Sequence, residues 1–422
     1  MFRLNDYCTC EAKLNGDEFV GIRNKGHLEI CFPIGYFKDN VAIAELDEDE
    51  LRQDIMQLFD VLSDSELFEV HENSNVIGKD AEKSSSDFPM RAYVNLLRNF
   101  MEYGYYSEQE VVFKQGGNGR VDWNRTIKTL HPDVVNDSVV YLDPITRQTD
   151  NNEQELISLI HKYCVWDAAK RIGFVFGIDI QEPPTLDFDY EMFSSVLMMK
   201  ASKTFHDRTL ALFQDMQRIV EYLGKNVSDE NVIPDEFYFG VNTFAPVWEA
   251  MMERIFATER RDDYYPNCGW VIDGKNAGRV EMRPDTIMKV DDKIFVLDSK
   301  YYTYGVDGGT LPQSESITKQ LAYAEFAESK TGLTIYNAFL MPYCSENFGH
   351  NLAEMDPQTQ SPLMMEYLGY AYSDWKSMDA KVLANKPYHK IHGILLDTKT
   401  VMQNYSKSNA AQKVLADIIF DN

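Results

Sequence analysis

No two cysteines of this chain have the C-x-x-C spacing that is typical of zinc sites. Cys8 and Cys10 form a lone C-x-C, and the other four cysteines are scattered at Cys31, Cys164, Cys268 and Cys344. The cysteine pattern therefore predicts no zinc site and favours a reducing compartment.

Long apolar segments are also missing. No stretch approaches the roughly 18–20 uninterrupted apolar residues that are needed to cross a bilayer, and the N-terminal sequence lacks the apolar core of a signal peptide. We therefore expect a cytoplasmic protein that does not associate with membranes. Hydrophobic residues nonetheless make up 44% of the 422 residues, which is enough for real cores, and the length predicts two or three domains.

Basic residues are too few for a protein that binds DNA unaided, because such proteins usually present a basic surface to the phosphates. The net charge is −26, and residues 1–90 alone hold 20 acidic against 8 basic residues. Segment 271–300 is neutral, with 6 residues of each sign. The acidity is either ordinary solvated surface or a face for a protein partner, and tight DNA binding by this chain alone is not expected.

A nucleotide-phosphate loop is absent as well. Gly116-Gly117-Asn118-Gly119 is followed by Arg120-Val121, whereas a phosphate loop closes with Lys-Ser or Lys-Thr at the start of a helix. The glycines are more typical of a hairpin turn, since glycine tolerates positive φ. We therefore expect no nucleotide site in this chain.

Periodicity and turn signals predict an α/β (α+β) protein in three parts. Residues 1–88 form an acidic N-terminal part with a strand pair (19–22 and 28–32) and a helix (47–62), and a polar linker follows at 72–87. Residues 89–230 form a middle part with a β-hairpin around Gly116 and helices at 90–103, 153–170 and 202–224, the last ending at Gly224.

Residues 231–422 form the third part, in which we expect a mixed sheet flanked by helices. Its predicted helices are 246–257 and 315–329, and its predicted strands are 269–274, 279–288, 293–301 and 333–341. The N-terminal part is expected to carry partner binding or sequence specificity.

The candidate catalytic residues of the hairpin lie in segment 283–300. If the chain reverses at Asp291-Asp292, antiparallel pairing places Asp285 directly opposite Asp298, where Cβ atoms are about 4.5–5.5 Å apart. Lys300 lies two residues beyond Asp298 and so projects from the same face. Two carboxylates and one amine therefore converge. The alternative is a surface hairpin with paired charges.

This arrangement suits the hydrolysis of phosphodiesters. Asp285 and Asp298, helped by the main-chain carbonyl of Ser299, could hold Mg²⁺ (or Mn²⁺), and Lys300 could orient or deprotonate a water. A second Asp-x-Lys occurs at Asp397-Thr398-Lys399. It lacks an opposing Pro-Asp strand, and we interpret it as a strand end.

Two flanking helices could complete the site. Glu249 and Glu253 share one side of the helix at 246–257, and Glu249, beside the apolar Trp248, is the preferred further metal ligand. Gln320 and Tyr323 could face the phosphate backbone of a substrate from the helix at 315–329. Solvated glutamates and an ordinary helix surface are the respective alternatives.

The order of a helix glutamate, Pro-Asp, Asp-x-Lys and then glutamine resembles the PD-(D/E)xK nuclease superfamily. Within it, RPDTIMKVDDKIFVLDSKYY is similar to the C-terminal domain of McrC-type nuclease subunits and, more closely, to the LlaJI restriction endonuclease family. The segments FVGI, LEICFPIGYF and GNGRVDWNRTI also resemble the LlaJI family.

The resemblance implies cleavage of double-stranded DNA in a restriction or phage-defence system, with a McrB-like AAA+ GTPase as the companion. It implies that Asp285 and Asp298 are metal ligands, that Lys300 is the catalytic lysine and that Glu249 is the helix acid. Tyr323 departs from the superfamily pattern, because it follows Gln320 by three residues instead of four.

The competing functions are a RecB-like DNA-processing exonuclease and a non-catalytic acidic adaptor that regulates an AAA+ partner.

Overall fold

The chain folds into two compact units in the computed structural model. One unit combines residues 1–88 with 236–422, and the other comprises residues 89–235. The structure describes residues 3–10, 19–24, 26–64, 88–135, 138–152, 155–228, 236–264, 267–281, 283–307, 309–348 and 361–422.

The first unit is organised around a mixed five-stranded sheet. The strands lie in the spatial order Thr286–Val290, Lys293–Ser299, Thr334–Tyr343, Ile391–Asp397 and Met365–Ala371. The middle three run parallel to one another, and the two edge strands are antiparallel to their neighbours. This confirms the predicted mixed sheet.

Helices cover both faces of this sheet because its central strands are apolar on both sides. Ile294 to Leu297 are all fully buried. On one face, Ile294 and Val296 pack against the helix Ser314–Thr331. On the other, the ring of Phe295 lies 5.6 Å from that of Phe420 in the C-terminal helix. Each such side chain contributes about 1.5–3 kcal/mol on burial, so the strand that precedes Asp298 is firmly anchored.

The N-terminal part of the chain belongs to the same unit. The strand Val20–Asn24 pairs antiparallel with Leu28–Cys31, as predicted, and on its other side with Phe237–Val241. The strands Val20–Asn24 and Phe237–Val241 approach closely at Gly21, because a Cβ there would stand 2.2 Å from the main-chain oxygen of Phe239. Residues 1–88 therefore do not form the separate compact unit that we expected, because their sheet is completed by a strand from the third part of the sequence.

Three helices of the first unit follow the predicted spans, and five further helices were not predicted. Glu48–Leu62 begins after Asp47, whose carboxylate accepts a hydrogen bond from the main-chain N–H of Asp49. The α-helices among the described residues of this unit are Asn40–Glu45, Glu48–Leu62, Ala245–Phe256, Tyr304–Asp307, Ser314–Thr331, Ala380–Leu383, Thr398–Gln403 and Asn409–Asp421.

The second unit contains five helices and two small sheets among its described residues. The helices are Met90–Tyr103, Trp123–Thr129, Leu156–Phe176, Tyr190–Lys203 and Asp207–Ser228. One sheet has the order Glu108–Gln115, Ile145–Asn152 and Arg120–Val121, and the other pairs Asp133–Val135 with Ser138–Val140.

Two predictions for the second unit are wrong. Gly116 does turn the chain, with φ at +72°, but the strands on either side of it do not pair with each other, because Ile145–Asn152 lies between them. Gly224 does not end its helix, which continues to Ser228. Instead, a Cβ at Gly224 would stand 2.5 Å from the ring of Tyr190, so close helix packing requires a glycine there.

Other differences have local causes. The predicted strand 279–288 is two strands, Lys275–Glu281 and Thr286–Val290, because Pro284 lacks the N–H that a paired strand needs. The predicted linker 72–87 lies outside the described residues. Within the described residues, no helix is both long and apolar enough to cross a membrane.

Candidate active site

The hairpin that carries the two aspartates has the predicted register. Thr286 pairs with Leu297 and Val290 with Lys293, so the chain reverses at Asp291-Asp292. Asp291 adopts a φ of +52° in this tight turn. We call the strands Thr286–Val290 and Lys293–Ser299 the carboxylate hairpin. Asp285 directly precedes its first strand, and Asp298 lies near the end of its second.

The acidic and basic side chains at the end of the carboxylate hairpin contact one another. The main-chain N–H of Ser299 donates a hydrogen bond to Asp285 Oδ2 at 2.7 Å. The amine of Lys300 forms an ion pair with Asp298 Oδ2 at 2.5 Å. Asp298 is only 8% exposed. The structure therefore brings Asp285, Asp298, Ser299 and Lys300 together.

Glu249 reaches the same cluster from the helix Ala245–Phe256. This helix has Pro246 in its first turn, where the missing N–H is tolerated. The indole Nε1 of Trp248, which is fully buried, donates to the main-chain oxygen of Leu340 at 3.4 Å. The main-chain N–H of Lys300 donates to the same oxygen at 2.9 Å. One carbonyl thus ties the helix of Glu249 to the strand end that presents Lys300.

The charges of Asp285, Asp298 and Glu249 influence one another. Desolvation raises the pKa of Asp285 well above its ordinary value, and the negative charges of Asp298 and Glu249 raise it further. Desolvation also raises the pKa of Glu249 from 4.5 to about 7; Lys300 lowers this pKa and Asp298 raises it. Glu249 can therefore hold or release a proton near neutral pH.

Lys300 is a cation in this environment. Desolvation opposes its charge, but attraction to Asp298 and Asp285 outweighs this effect and raises the pKa of its amine. A protonated Lys300 is suited to stabilise negative charge. Tyr323 lies nearby: desolvation and the charges of Asp298 and Asp285 raise the pKa of its hydroxyl to about 12.

Gln320 is not exposed. The structure therefore agrees with neither of its two predicted positions, one facing the phosphate backbone of a substrate and the other on an ordinary helix surface. It is fully buried, and its Nε2 donates to the main-chain oxygen of Val296 at 2.7 Å. No described residue hydrogen-bonds to its Oε1, which is buried. The apolar face of the helix turns Gln320 inward, where it holds the strand of Asp298 in place.

The donor set suits a small, hard cation. The described residues contain no group of three or more His, Cys, Asp and Glu side chains that could hold a metal ion. Mg²⁺, however, is usually held by one or two carboxylates together with waters. Asp285 and Asp298 meet that need, because they supply two carboxylates at the same end of the hairpin, and a bound cation would offset the repulsion by which Asp298 helps to raise the pKa of Asp285.

Two charged or polar neighbours of the site were not predicted. Arg261 lies 3.6 Å from Glu253 as an ion pair and lowers the pKa of Glu249. Tyr301 accepts a hydrogen bond from the main-chain N–H of Ile34 at 2.7 Å, so the N-terminal part supports the strand end beside Lys300. Tyr301 directly follows the Asp-x-Lys motif in sequence, but Arg261 has no sequence signal.

The second Asp-x-Lys motif has a structural role. Asp397 ends its strand and caps the helix Thr398–Gln403, where its Oδ1 accepts from the N–H of Thr400 at 2.8 Å. Lys399 instead forms an ion pair with the buried Asp54 at 2.9 Å. The prediction that this motif is a strand end is confirmed.

Comparison with known proteins identifies the family. The profile of the LlaJI restriction endonuclease family matches residues 19–356, which span most of the chain and include the whole candidate site. The chain belongs to the LlaJI restriction endonuclease family. The resemblance noted in the sequence is therefore confirmed.

Two individual proteins are also similar to the chain. The chain is 23% identical over 347 residues to the type II restriction enzyme BsuMI component YdjA of Bacillus subtilis (strain 168), covering 76% of this chain and 70% of that protein. It also matches a chain of the solved complex of Thermococcus gammatolerans McrB AAA+ hexamers with bound McrC. That match has 13% identity and a TM-score of 0.36, and covers 95% of this chain and 83% of that one.

Proposed function

We propose that this protein is a Mg²⁺-dependent DNA endonuclease subunit of a restriction or phage-defence system, which hydrolyses phosphodiester bonds in double-stranded DNA. Membership of a restriction endonuclease family supports the substrate class. The proposed chemistry rests on one observation. The Asp285 carboxylate accepts a hydrogen bond from the main-chain N–H of Ser299 beside the Asp298–Lys300 ion pair.

Each side chain has a distinct task in this proposal. Asp285 and Asp298, with the main-chain carbonyl of Ser299, would hold the metal ion, and Glu249 would complete its surroundings. Bound Mg²⁺ would stabilise charge on the scissile phosphate and acidify a water. Lys300, kept protonated by its acidic neighbours, would neutralise charge that develops on the phosphate.

The direct test is incubation of the purified protein with closed circular and linear DNA, with Mg²⁺ or with EDTA. Cleavage of circles that requires Mg²⁺ would support the proposal and exclude an obligate exonuclease. The variants Asp298→Ala and Lys300→Ala should abolish cutting, whereas Lys289→Ala should not, since Lys289 is an exposed lysine of the same hairpin. Normal cutting by Asp298→Ala and Lys300→Ala would refute the assignment.

We further propose that an AAA+ GTPase partner activates the protein. The sequence has no phosphate loop of its own, and its excess of acid argues against tight DNA binding in isolation. The same cleavage assay should therefore be run with and without the protein encoded beside this one. Binding and activation of that partner by a chain that never cuts DNA would instead favour a non-catalytic adaptor.

An exposed acidic surface offers a contact for that partner. Glu45 and Glu50 lie exposed on the helices Asn40–Glu45 and Glu48–Leu62. Reversal of charge in the double variant Glu45→Lys/Glu50→Lys should weaken the complex and leave the folded state intact. Unchanged affinity would remove this surface from the proposal. Deletion of residues 1–88 is the poorer test, because it would remove the strand that pairs with Phe237–Val241.

A further inference from the structure

A two-stranded ribbon with bare apolar side chains directly precedes the candidate active site. Its strands, Asn267–Ile272 and Lys275–Glu281, pair antiparallel and form a sheet of their own. Three consecutive residues near its tip are exposed: Trp270 by 72%, Val271 by 66% and Ile272 by 57%. Because neighbouring residues of a strand point to opposite faces, neither face of the ribbon is covered at this point.

The geometry of the ribbon is well defined in spite of this exposure. Its tip is a two-residue turn in which Asp273 and Gly274 have φ values of +50° and +74°, the combination that a tight hairpin turn requires. The pairing register shifts between Gly269 and Val271, beside Trp270. Such irregularities change the direction in which a side chain points, and here they affect the exposed indole of Trp270.

The ribbon and the carboxylates are close along the chain. Glu281 ends the ribbon four residues before Asp285, a separation that spans at most about 14 Å. A strand of six residues extends about 20 Å. A substrate whose phosphate reaches Asp285 and Asp298 therefore lies within reach of the ribbon.

We propose that this ribbon contacts the DNA duplex, entering a groove with Trp270 against the bases. This inference rests on the proposed function and names how the same site holds its substrate. The major groove of B-DNA admits a two-stranded ribbon, and proteins that bend DNA insert apolar side chains between base steps. Segment 271–300, which includes most of the ribbon, holds 6 acidic and 6 basic residues in a chain whose net charge is −26, so it does not share the excess of acid that repels phosphates.

The first test measures binding in the absence of cutting. In the full chain with Asp298→Ala, binding of a fluorescently labelled duplex of about 30 base pairs, roughly three helical turns, is titrated up to about 100 μM protein, which covers the range of weak DNA binding. The added change Trp270→Ala should weaken this binding about tenfold, the scale of a lost base–aromatic contact. The matched control is Trp375→Ala, because Trp375 is 59% exposed in the same unit but outside the ribbon. Equal binding by the Trp270 variant and its parent, or no measurable binding by the parent, would overturn the inference.

The second test separates this inference from the proposed function. In the otherwise wild-type chain, Trp270→Ala should raise the DNA concentration at half-maximal cleavage and leave the rate at saturation nearly unchanged, whereas Trp270→Phe should restore much of the loss. If wild-type protein never cuts DNA but Trp270→Ala still weakens binding, the ribbon inference stands and the nuclease proposal falls. If cutting is normal and Trp270→Ala weakens only a protein complex, the inference falls and the nuclease proposal stands.

Discussion

Replacement of Glu249 by glutamine should make the metal-free protein more stable above neutral pH. In the folded protein the pKa of Glu249 is raised from 4.5 to about 7, first by desolvation and then by the charge of Asp298. A shift of one pKa unit corresponds to about 1.4 kcal/mol, so holding this carboxylate ionised costs up to about 3 kcal/mol of folding free energy. Glu249→Gln removes that cost.

The sign of the pH dependence follows from proton binding. A carboxyl with a raised pKa binds its proton more tightly in the folded than in the unfolded state, so its contribution to stability is complete below pH 4.5 and is lost as the pH rises through about 7. Wild-type protein in EDTA should therefore lose stability over this interval. Mg²⁺ should reverse the loss, because a ligand that binds only the folded state stabilises it.

The assay is denaturant unfolding in EDTA at several pH values between 5 and 8.5, a range chosen to bracket a pKa of about 7. Glu249→Gln should unfold at a higher denaturant concentration than wild type at pH 8, and the two should converge toward pH 5. Glu50→Gln, at an exposed glutamate of an N-terminal helix, is the control and should behave as wild type. An identical pH dependence in wild type and Glu249→Gln would refute the proposed electrostatic coupling.

Three further predictions concern single buried contacts, one of them beside the candidate site. Gln320→Leu removes the buried hydrogen bond to the Val296 carbonyl; it should destabilise the protein by about 1–3 kcal/mol and slow cleavage, and normal values of both would contradict the positioning role. Lys399→Met leaves Asp54 without its ion pair; denaturant unfolding should show a loss of about 1–3 kcal/mol with unchanged cleavage per folded molecule, and lost cleavage would mean that this motif is catalytic. Gly35→Ala places a Cβ 2.8 Å from the nearest side-chain oxygen at a φ of +76°; it should lower the free energy of unfolding by more than about 1 kcal/mol, because a residue with a Cβ is strained at positive φ, and a neutral result would contradict the close packing.

The site was predictable from sequence where its geometry is local. Asp285 and Asp298 lie on one hairpin whose turn is marked by Asp291-Asp292, so simple pairing arithmetic gave the observed register. The prediction that Lys300 projects from the same face as Asp298 follows from the alternation of side chains along a strand. The burial of Ile294 to Leu297 agrees with the continuous apolar run that these four residues form in the sequence.

Contacts between distant segments were not predictable in the same way. The inward orientation of Gln320 depends on which face of its helix packs on the sheet. Both interpretations of the sequence placed this side chain at an exposed position. The pairing of Val20–Asn24 with Phe237–Val241 joins segments more than two hundred residues apart. No local pattern in either strand indicates its partner, and the expected three-part division missed this connection. The edge strand Met365–Ala371 was missed as well, since it follows a long polar segment.

The central claim is that Asp285 and Asp298 jointly hold a divalent cation. The most direct measurement is a crystal structure of the wild-type protein grown with Mn²⁺, in which anomalous scattering locates the ion. The ion should lie about 2.0–2.2 Å from a carboxylate oxygen of each of the two aspartates, as expected for a hard cation in an oxygen site, and it should be absent from crystals of Asp298→Ala. An ion bound elsewhere, or none at these aspartates at millimolar Mn²⁺, would contradict the claim.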